Sequence, residues 1–180
     1  MAESLAKDGS LVLSGSLVPL QHIELIGAKQ FADHVTYKRI TSKAGSRFSR
    51  LSIDSQAERG SPDNDLWTTG EILATHLDPI YQQTVAMKGK AEPALSLRLV
   101  QINEMRTGDF IAPHEDKEVR FTAVLRLPGE FSGGRFFVEN ESMRSYPSQE
   151  SWTLSLFLPR VHGVTKVESG RRQSIVFGCS

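Results

Sequence analysis

From Leu95 onward the chain breaks into short β-prone runs punctuated by glycine and proline, and this half sets the architecture. Eight such runs stand out, near 96–104, 109–113, 119–127, 134–139, 143–147, 152–158, 161–166 and 172–178. Many short strands joined by tight turns argue for a sandwich or a closed barrel. The half before them is mixed. Residues 1–9 read as a polar, loose end, and Leu11 to Leu20 as an outer strand broken by Gly15 and Pro19. The spacing of Ile26, Phe31 and Val35 predicts a helix from about 24 to 35. Lys43 to Leu51 and Ser55 to Asp65 read as loop-containing, the second being rich in Ser, Gly, Pro and Asp. Trp67 to Met87 reads as a helix capped by Thr68 or Thr69. Its apolar face carries Ile72, Leu73, His76, Leu77, Ile80 and Tyr81, and Pro79 is a candidate kink or break.

A chain of 180 residues is long enough for one well-buried domain and short for two. The expectation is a single domain over 1–180, in which 1–94 buttresses a β core at 95–180. Lys plus Arg and Asp plus Glu number 21 each, so no global field draws the protein to nucleic acid or to an anionic membrane. The basic residues change type along the chain: the second half is arginine-rich, as carboxylate recognition inside a barrel would require, although surface arginine is the plainer reading for most of them. Cys179 is the only cysteine, which excludes an intramolecular disulfide framework. No basic-then-apolar leader is visible at Met1 to Gly9, and no apolar run approaches membrane-spanning length; the reading is a cytoplasmic protein.

Within the strand-rich half, His114 and Asp116 sit two positions apart, which in extended backbone points both to one side. His162 lies 48 positions after His114, between two β-prone runs. Two imidazoles and one carboxylate on one face of a metal leave open positions and suit Fe(II). Alone, His114 is as readily a loop or capping residue, and His162 an imidazole packed beside Trp152 or Phe157. His22, His34 and His76 have no carboxylate at strand spacing and are not candidate ligands. Ten residues past His162 stands Arg172, with Ser174 two further on and so on the same strand face. An arginine fork holds a carboxylate bidentately and a hydroxyl adds one hydrogen bond; the plain alternative is a surface charge near a chain end.

Together these residues resemble the Fe(II)- and 2-oxoglutarate-dependent oxygenase superfamily, nearest its prolyl 4-hydroxylase-like, PKHD-type branch. The likeness rests on Gly108 to Asp116, on the hairpin from Phe121 through Gly133-Gly134 to Phe137, and on His162 to Ser174. It spans roughly residues 96–180. The resemblance implies a mainly β double-stranded β-helix, a jelly roll with flanking helices. It implies Fe(II) on His114, Asp116 and His162, 2-oxoglutarate with its C5 carboxylate on Arg172 and Ser174, and O2. It further implies hydroxylation of an unactivated C–H bond with succinate and CO2 as co-products. Relatives that halogenate lack the carboxylate found here as Asp116.

Two positions depart from the family pattern. Where relatives often carry a tyrosine before the Gly108 segment, this chain has Met105-Arg106-Thr107; where a tyrosine often ends the Phe121 to Leu127 strand, it has Arg126. Arg126 reads equally as a second cation for the co-substrate, an anchor for an acidic substrate, or a solvated strand-end residue. The substrate is expected to be a small molecule, an amino acid or a peptide residue, met by the helical half and by Arg98, Gln101 and Arg126. Of strand 96–104, either Arg98, Val100 and Ile102 or Leu97, Leu99, Gln101 and Asn103 face inward. The rival readings are a non-catalytic barrel that binds metal or a 2-oxo acid, and a cupin-type metalloenzyme independent of 2-oxoglutarate. Cupins usually present HxH, and Asp116 stands against that.

Overall fold

A computed structural model of the chain describes residues 1–13, 22–140, 143–147 and 150–180, with the side chains of 22–25 and 140 outside that description. It shows a double-stranded β-helix of two antiparallel sheets. The larger runs in the order β1 (Ser10–Leu13), β10 (Leu154–Phe157), β6 (Phe121–Arg126), β12 (Val167–Cys179), β4 (Leu97–Arg106), β3 (Arg47–Ile53) and β2 (Lys38–Thr41), and β7 (Phe131–Gly133) pairs with the start of β12. The smaller runs in the order β5 (Ile111–His114), β11 (His162–Val164), β8 (Phe136–Asn140) and β9 (Met143–Ser145). Each of the eight expected runs contains a strand, and β7 is one more.

Period-two alternation divides the larger sheet into two faces. The outward rung Leu13–Leu154–Leu125–Ile175–Ile102–Leu51 is apolar from end to end. So is the next outward rung, Leu11–Leu156–Ala123–Phe177–Val100–Ile53. Helix α3 (Pro62–Met87) covers this face through Leu66, Leu73, Leu77, Tyr81 and Val85. The helix comes close because it presents Gly70 to the sheet. A Cβ there would stand 2.8 Å from Leu97 Cδ2 and 3.0 Å from Phe177 Cδ1. A second core fills the space between the sheets and includes Phe48, Met105, Ile111, Val124, Phe136 and Val164.

The first half of the chain differs from expectation in four places. Residues 2–8 are a helix, α1 (Ala2–Asp8), whose Leu5 is fully buried in the core under α3. A seven-residue helix has almost no stability of its own, so tertiary docking rather than propensity creates it. Lys43 to Leu51, read as loop-containing, holds a short turn followed by most of β3, whose Arg50 lines the cavity described below. The loop read over 55–65 ends early: Ser61 caps α3, its Oγ accepting from Asn64 N at 3.2 Å, and Pro62 opens the helix where a missing N–H does no harm. Finally, α3 continues through the exposed Pro79, and Ile72 and His76 lie on its solvent side rather than its buried one. The helix expected near 24–35 is α2 (His22–His34). Of the outer strand read over 11–20, β1 carries the described part, and residues 14–20 lie outside the described residues.

Candidate active site

The smaller sheet carries the histidines. His114 closes β5, His162 opens β11, and the two are direct partners across the antiparallel pair. Their rings lie 4.3 Å apart between centroids, tilted by 49°. Each imidazole is oriented by its own backbone: His114 Nδ1 lies 3.0 Å from Ala112 O, and His162 Nδ1 lies 2.9 Å from Arg160 O. A carbonyl only accepts, so each Nδ1 carries the proton and each Nε2 presents a lone pair. Asp116, just past β5, puts Oδ1 3.7 Å from His114 Nε2 and Oδ2 3.5 Å from His162 Nε2. One ligand atom from each residue lies within 4.8 Å of the other two, a separation that one cation can bridge. His162 is buried against the Phe157 ring at 4.7 Å, as the packing reading of this residue expected. Burial, its largest influence, holds its pKa below the ordinary value and favours the neutral imidazole that binds metals.

The turn before β5 is fixed by the buried Asp109. Its carboxylate accepts from Arg106 N at 3.0 Å and from both terminal nitrogens of Arg39, at 2.7 and 2.5 Å. Asp109 O accepts from Val167 N at 2.8 Å, and Val167 O accepts from Gly108 N at 2.8 Å, tying the turn to β12. The chain therefore enters the His114 strand along a defined path.

Deeper between the sheets, Arg172 is only 2% exposed. Its Nη1 donates to Ser174 Oγ at 3.1 Å and lies 3.9 Å from Met105 Sδ, while its Nε has no hydrogen-bond partner. Arg126, opposite Ser174 on β6, stacks over the Phe131 ring at 4.3 Å, and its Nε is also without a partner. Among the described residues no carboxylate pairs with either guanidinium. Burial, reinforced by the charge of Arg126, pushes Arg172 down to about 10; burial alone lowers Arg126. A buried, unpaired cation costs several kcal/mol unless an anion meets it. The donors turned toward this end of the site suit a carboxylate.

A cavity of about 370 Å³ joins the two groups, and His114, Asp116, His162, Arg172, Ser174 and Gln101 all line it. Its size lies within the range of small-molecule sites. The register of β4 is Leu99, Gln101 and Asn103 inward. Arg98, beside the register shift of β4 against β12, is exposed and does not line the cavity, which corrects its placement at the mouth. Arg126 does not line the cavity either, which corrects its placement at the mouth; it is near enough for its charge to act on Arg172. His34 and His76 are exposed, each satisfied within its own helix through Gln30 O at 2.7 Å and Ile72 O at 2.8 Å. Sequence reasoning passed over Arg50 and, as a cavity residue, left Asn103 open; both line the cavity. For Arg50 the available signal was the alternation Phe48, Arg50, Ser52 within a stretch taken for loop.

No protein-family model matches the chain, and no curated protein matches it in sequence. Its fold does match solved structures. A 2OG-Fe(II) oxygenase family oxidoreductase from Burkholderia pseudomallei superposes with a TM-score of 0.76 at 19% identity, over 99% of this chain and 88% of that one. A Pseudomonas putida prolyl-4-hydroxylase gives 0.65 at 15% identity, over 99% and 97%. A Trichoplax adhaerens prolyl hydroxylase, solved with a hypoxia inducible factor peptide fragment, gives 0.71 at 13% identity, over 98% and 86%. At such identities the likeness is one of fold. This chain has the double-stranded β-helix on which those oxygenases are built, with a His-Asp-His group that fits a metal ion at its centre.

Proposed function

We propose that this chain is an Fe(II)- and 2-oxoglutarate-dependent oxygenase that hydroxylates an unactivated C–H bond. The observation that carries the reading is the presence, in one cavity, of a three-ligand facial set and a buried arginine with no carboxylate partner. His114, His162 and Asp116 would hold the iron, two neutral nitrogens and one charge leaving it open to further ligands. Arg172 and Ser174 would hold the distal carboxylate of 2-oxoglutarate, and the charge of Arg126, which acts on Arg172, would add to the pull on that anion. When bound, the iron supplies O2 activation coupled to oxidative decarboxylation of the 2-oxo acid, giving succinate and CO2.

The protein's own part is placement. The Nδ1 bonds to Ala112 and Arg160 keep both Nε2 atoms aimed at one point. Arg172 is fixed by Ser174 and by its rigid strand, so the co-substrate meets a preorganised cation. Phe136, Val124 and Val164 wall the cavity with hydrocarbon, which excludes water from the reacting centre. Asp116, retained as a carboxylate, supports hydroxylation over halogenation. The substrate is an amino acid, a peptide residue or a small natural-product intermediate. A cytoplasmic setting accompanies this reading, supported by the buried free Cys179. No helix among the described residues is long and apolar enough to cross a membrane.

The test is anaerobic addition of Fe(II) with and without 2-oxoglutarate, recording the visible charge-transfer band, alongside His114→Ala and Arg172→Ala. The expected result is a band that needs both components, is lost in His114→Ala and weakens in Arg172→Ala. Bound metal without any band in the native sequence would overturn the oxygenase reading and leave a metal-binding barrel.

A further inference from the structure

One inward rung of the larger sheet is polar across five strands. Lys38 on β2, Arg50 on β3, Asn103 on β4, Ser174 on β12 and Arg126 on β6 are successive cross-strand partners. Directly opposed residues share a face, so four adjacent strands from β3 to β6 present Arg, Asn, Ser and Arg side by side. The inward rung on one side, Ser52–Gln101–Val176–Val124, carries no charge, and the rung on the other side, which includes Met105 and Arg172, carries the co-substrate arginine. The polar rung thus has a cation at each flank with two neutral hydrogen-bonding groups between. One flank, Arg126 with Arg172, is the seat already assigned to the co-substrate. The other flank is Arg50.

Arg50 is built as a recognition group rather than as a solvated surface charge. Its Nε donates to Asn103 Oδ1 at 3.1 Å, and its guanidinium lies 4.9 Å above the Phe48 ring. Asn103 is itself buried. These two contacts fix the plane of the fork and use only one of its five N–H groups, leaving the terminal nitrogens available. Among the described residues no carboxylate lies within ion-pair distance of it. The nearest acidic influence is Asp116, whose charge belongs to the metal group. Burial lowers the pKa of Arg50, which marks a guanidinium stripped of much of its water. Arg50, His114 and Asp116 line the same cavity, so an anion on Arg50 sits beside the metal centre. Two acidic residues of the loop after β5, Glu115 and Glu118, also line it.

We infer that Arg50, held by Asn103 and Phe48, is a second anion seat in this cavity, and that the substrate carries a carboxylate that docks on it. This rests on the oxygenase reading, because it assigns the first seat to 2-oxoglutarate. A free amino acid and the C-terminus of a short peptide share the required chemistry. A bidentate arginine–carboxylate contact fixes orientation as well as affinity, so the carboxylate sets which C–H bond is offered to the metal.

The experiment uses the full chain loaded with Mn(II), which blocks turnover, and saturating 2-oxoglutarate. Thermal unfolding is followed with the L-amino acids, with short dipeptides, and with the carboxamide of each. The expected result is at least one acid that raises Tm while its carboxamide binds at least about 30-fold more weakly, the loss of a charge-assisted bidentate contact. Which arm responds separates free amino acid from peptide terminus. Arg50→Gln abolishes the difference between acid and amide, and Arg50→Lys restores part of it. The 2-oxoglutarate affinity of Arg50→Gln, read from the Fe(II) band, stays within about twofold of the native protein, consistent with separate anion seats. Acids and amides that bind alike, no acid that binds, or a preference that survives Arg50→Gln would each overturn the inference. So would a tenfold loss of 2-oxoglutarate affinity in Arg50→Gln, which would place Arg50 on the co-substrate. A normal Fe(II) band with no acid preference strikes this inference alone; absence of the band strikes the oxygenase reading beneath it.

Discussion

The two faces of the larger sheet are made from the same strands and differ in almost every physical respect. On the outer face, Leu125, Ile175 and Ile102 stand in a row under α3, with no polar atom among their side chains. One residue along each strand, the inner face presents Arg126, Ser174 and Asn103. Burying each aliphatic side chain on the outer face contributes about 1.5–3 kcal/mol. Burying Arg172 with no carboxylate among the described residues to meet its charge works in the opposite direction. If the proposed function holds, stability and ligand recognition are separated here by a single step of backbone, so that substitutions on the two faces should have effects of opposite sign.

The largest effects test that opposition directly. Phe177→Ala, on the outer face, removes a ring packed between α3 and the sheet and should lower the unfolding free energy by about 3–5 kcal/mol in urea titrations followed by circular dichroism. Arg172→Met, on the inner face, keeps the volume and removes the charge. It should raise the unfolding free energy by about 1 kcal/mol or more, since hydrophobic replacement of buried charge is often stabilising. The same variant should weaken 2-oxoglutarate binding, read from the Fe(II) band, by about 100-fold. A clear loss of stability in Arg172→Met would show that the inner face also holds the fold together.

A smaller effect comes from the glycine pair where β7 gives way to β8; these two strands pair with β12 and β11 rather than with each other, so the hairpin expected here is not formed. Gly134 has φ +57°, and a Cβ there would stand 2.9 Å from Val167 Cγ2 and 3.2 Å from Arg172 Cδ. Gly134→Ala should therefore lower stability by about 1–2 kcal/mol through backbone strain and crowding. Because the crowding falls on the stem of Arg172, it should also reduce 2-oxoglutarate affinity by about 3- to 10-fold. Equal 2-oxoglutarate affinity in Gly134→Ala and the native protein would mean that this turn serves only the fold.

How far the sequence disclosed these two faces depended on what kind of signal each residue carries. The triad and Arg172–Ser174 were legible because their chemistry is unusual and their spacing ordered. The strand-rich half was legible as a series of short runs between turns. The register of β4 was not, because Arg98 and Gln101 are both polar, and only pairing with β12 and β3 decides which one enters the cavity. Arg50 was hidden for a related reason: on β3 it sits among Arg47, Ser49 and Ser52, a composition that reads as loop until the neighbouring strand shows its inner face. Helix α1 was illegible because its existence depends on Leu5 reaching a core made by residues far along the chain. The start of α3 was a missed signal rather than an absent one. Ser61-Pro62-Asp63 carries the cap, the first-position proline and the early acidic residue of a helix N-terminus.

The smallest effect lies off both faces, at the turn that delivers His114. Neither the aliphatic rungs nor the arginines change charge in mild acid, so among these features acid sensitivity should reside in Asp109. Burial pushes the Asp109 carboxyl up, but the hydrogen bonds from Arg39 and from Arg106 N outweigh it, and its pKa in the folded protein lies below the usual value. A depressed folded pKa stabilises the native state above the unfolded pKa, near 4, and that contribution is lost as pH falls through the folded value. Asp109→Asn should therefore destabilise the protein by about 1 kcal/mol at pH 7, modest because Arg39 is half exposed. The gap between variant and native protein should close progressively below about pH 4. Urea midpoints measured from pH 7 down to pH 3 would show it. A gap that stays constant over that range would assign the role of Asp109 to the shape of the turn rather than to its charge, and the path into the His114 strand would then owe nothing to Arg39.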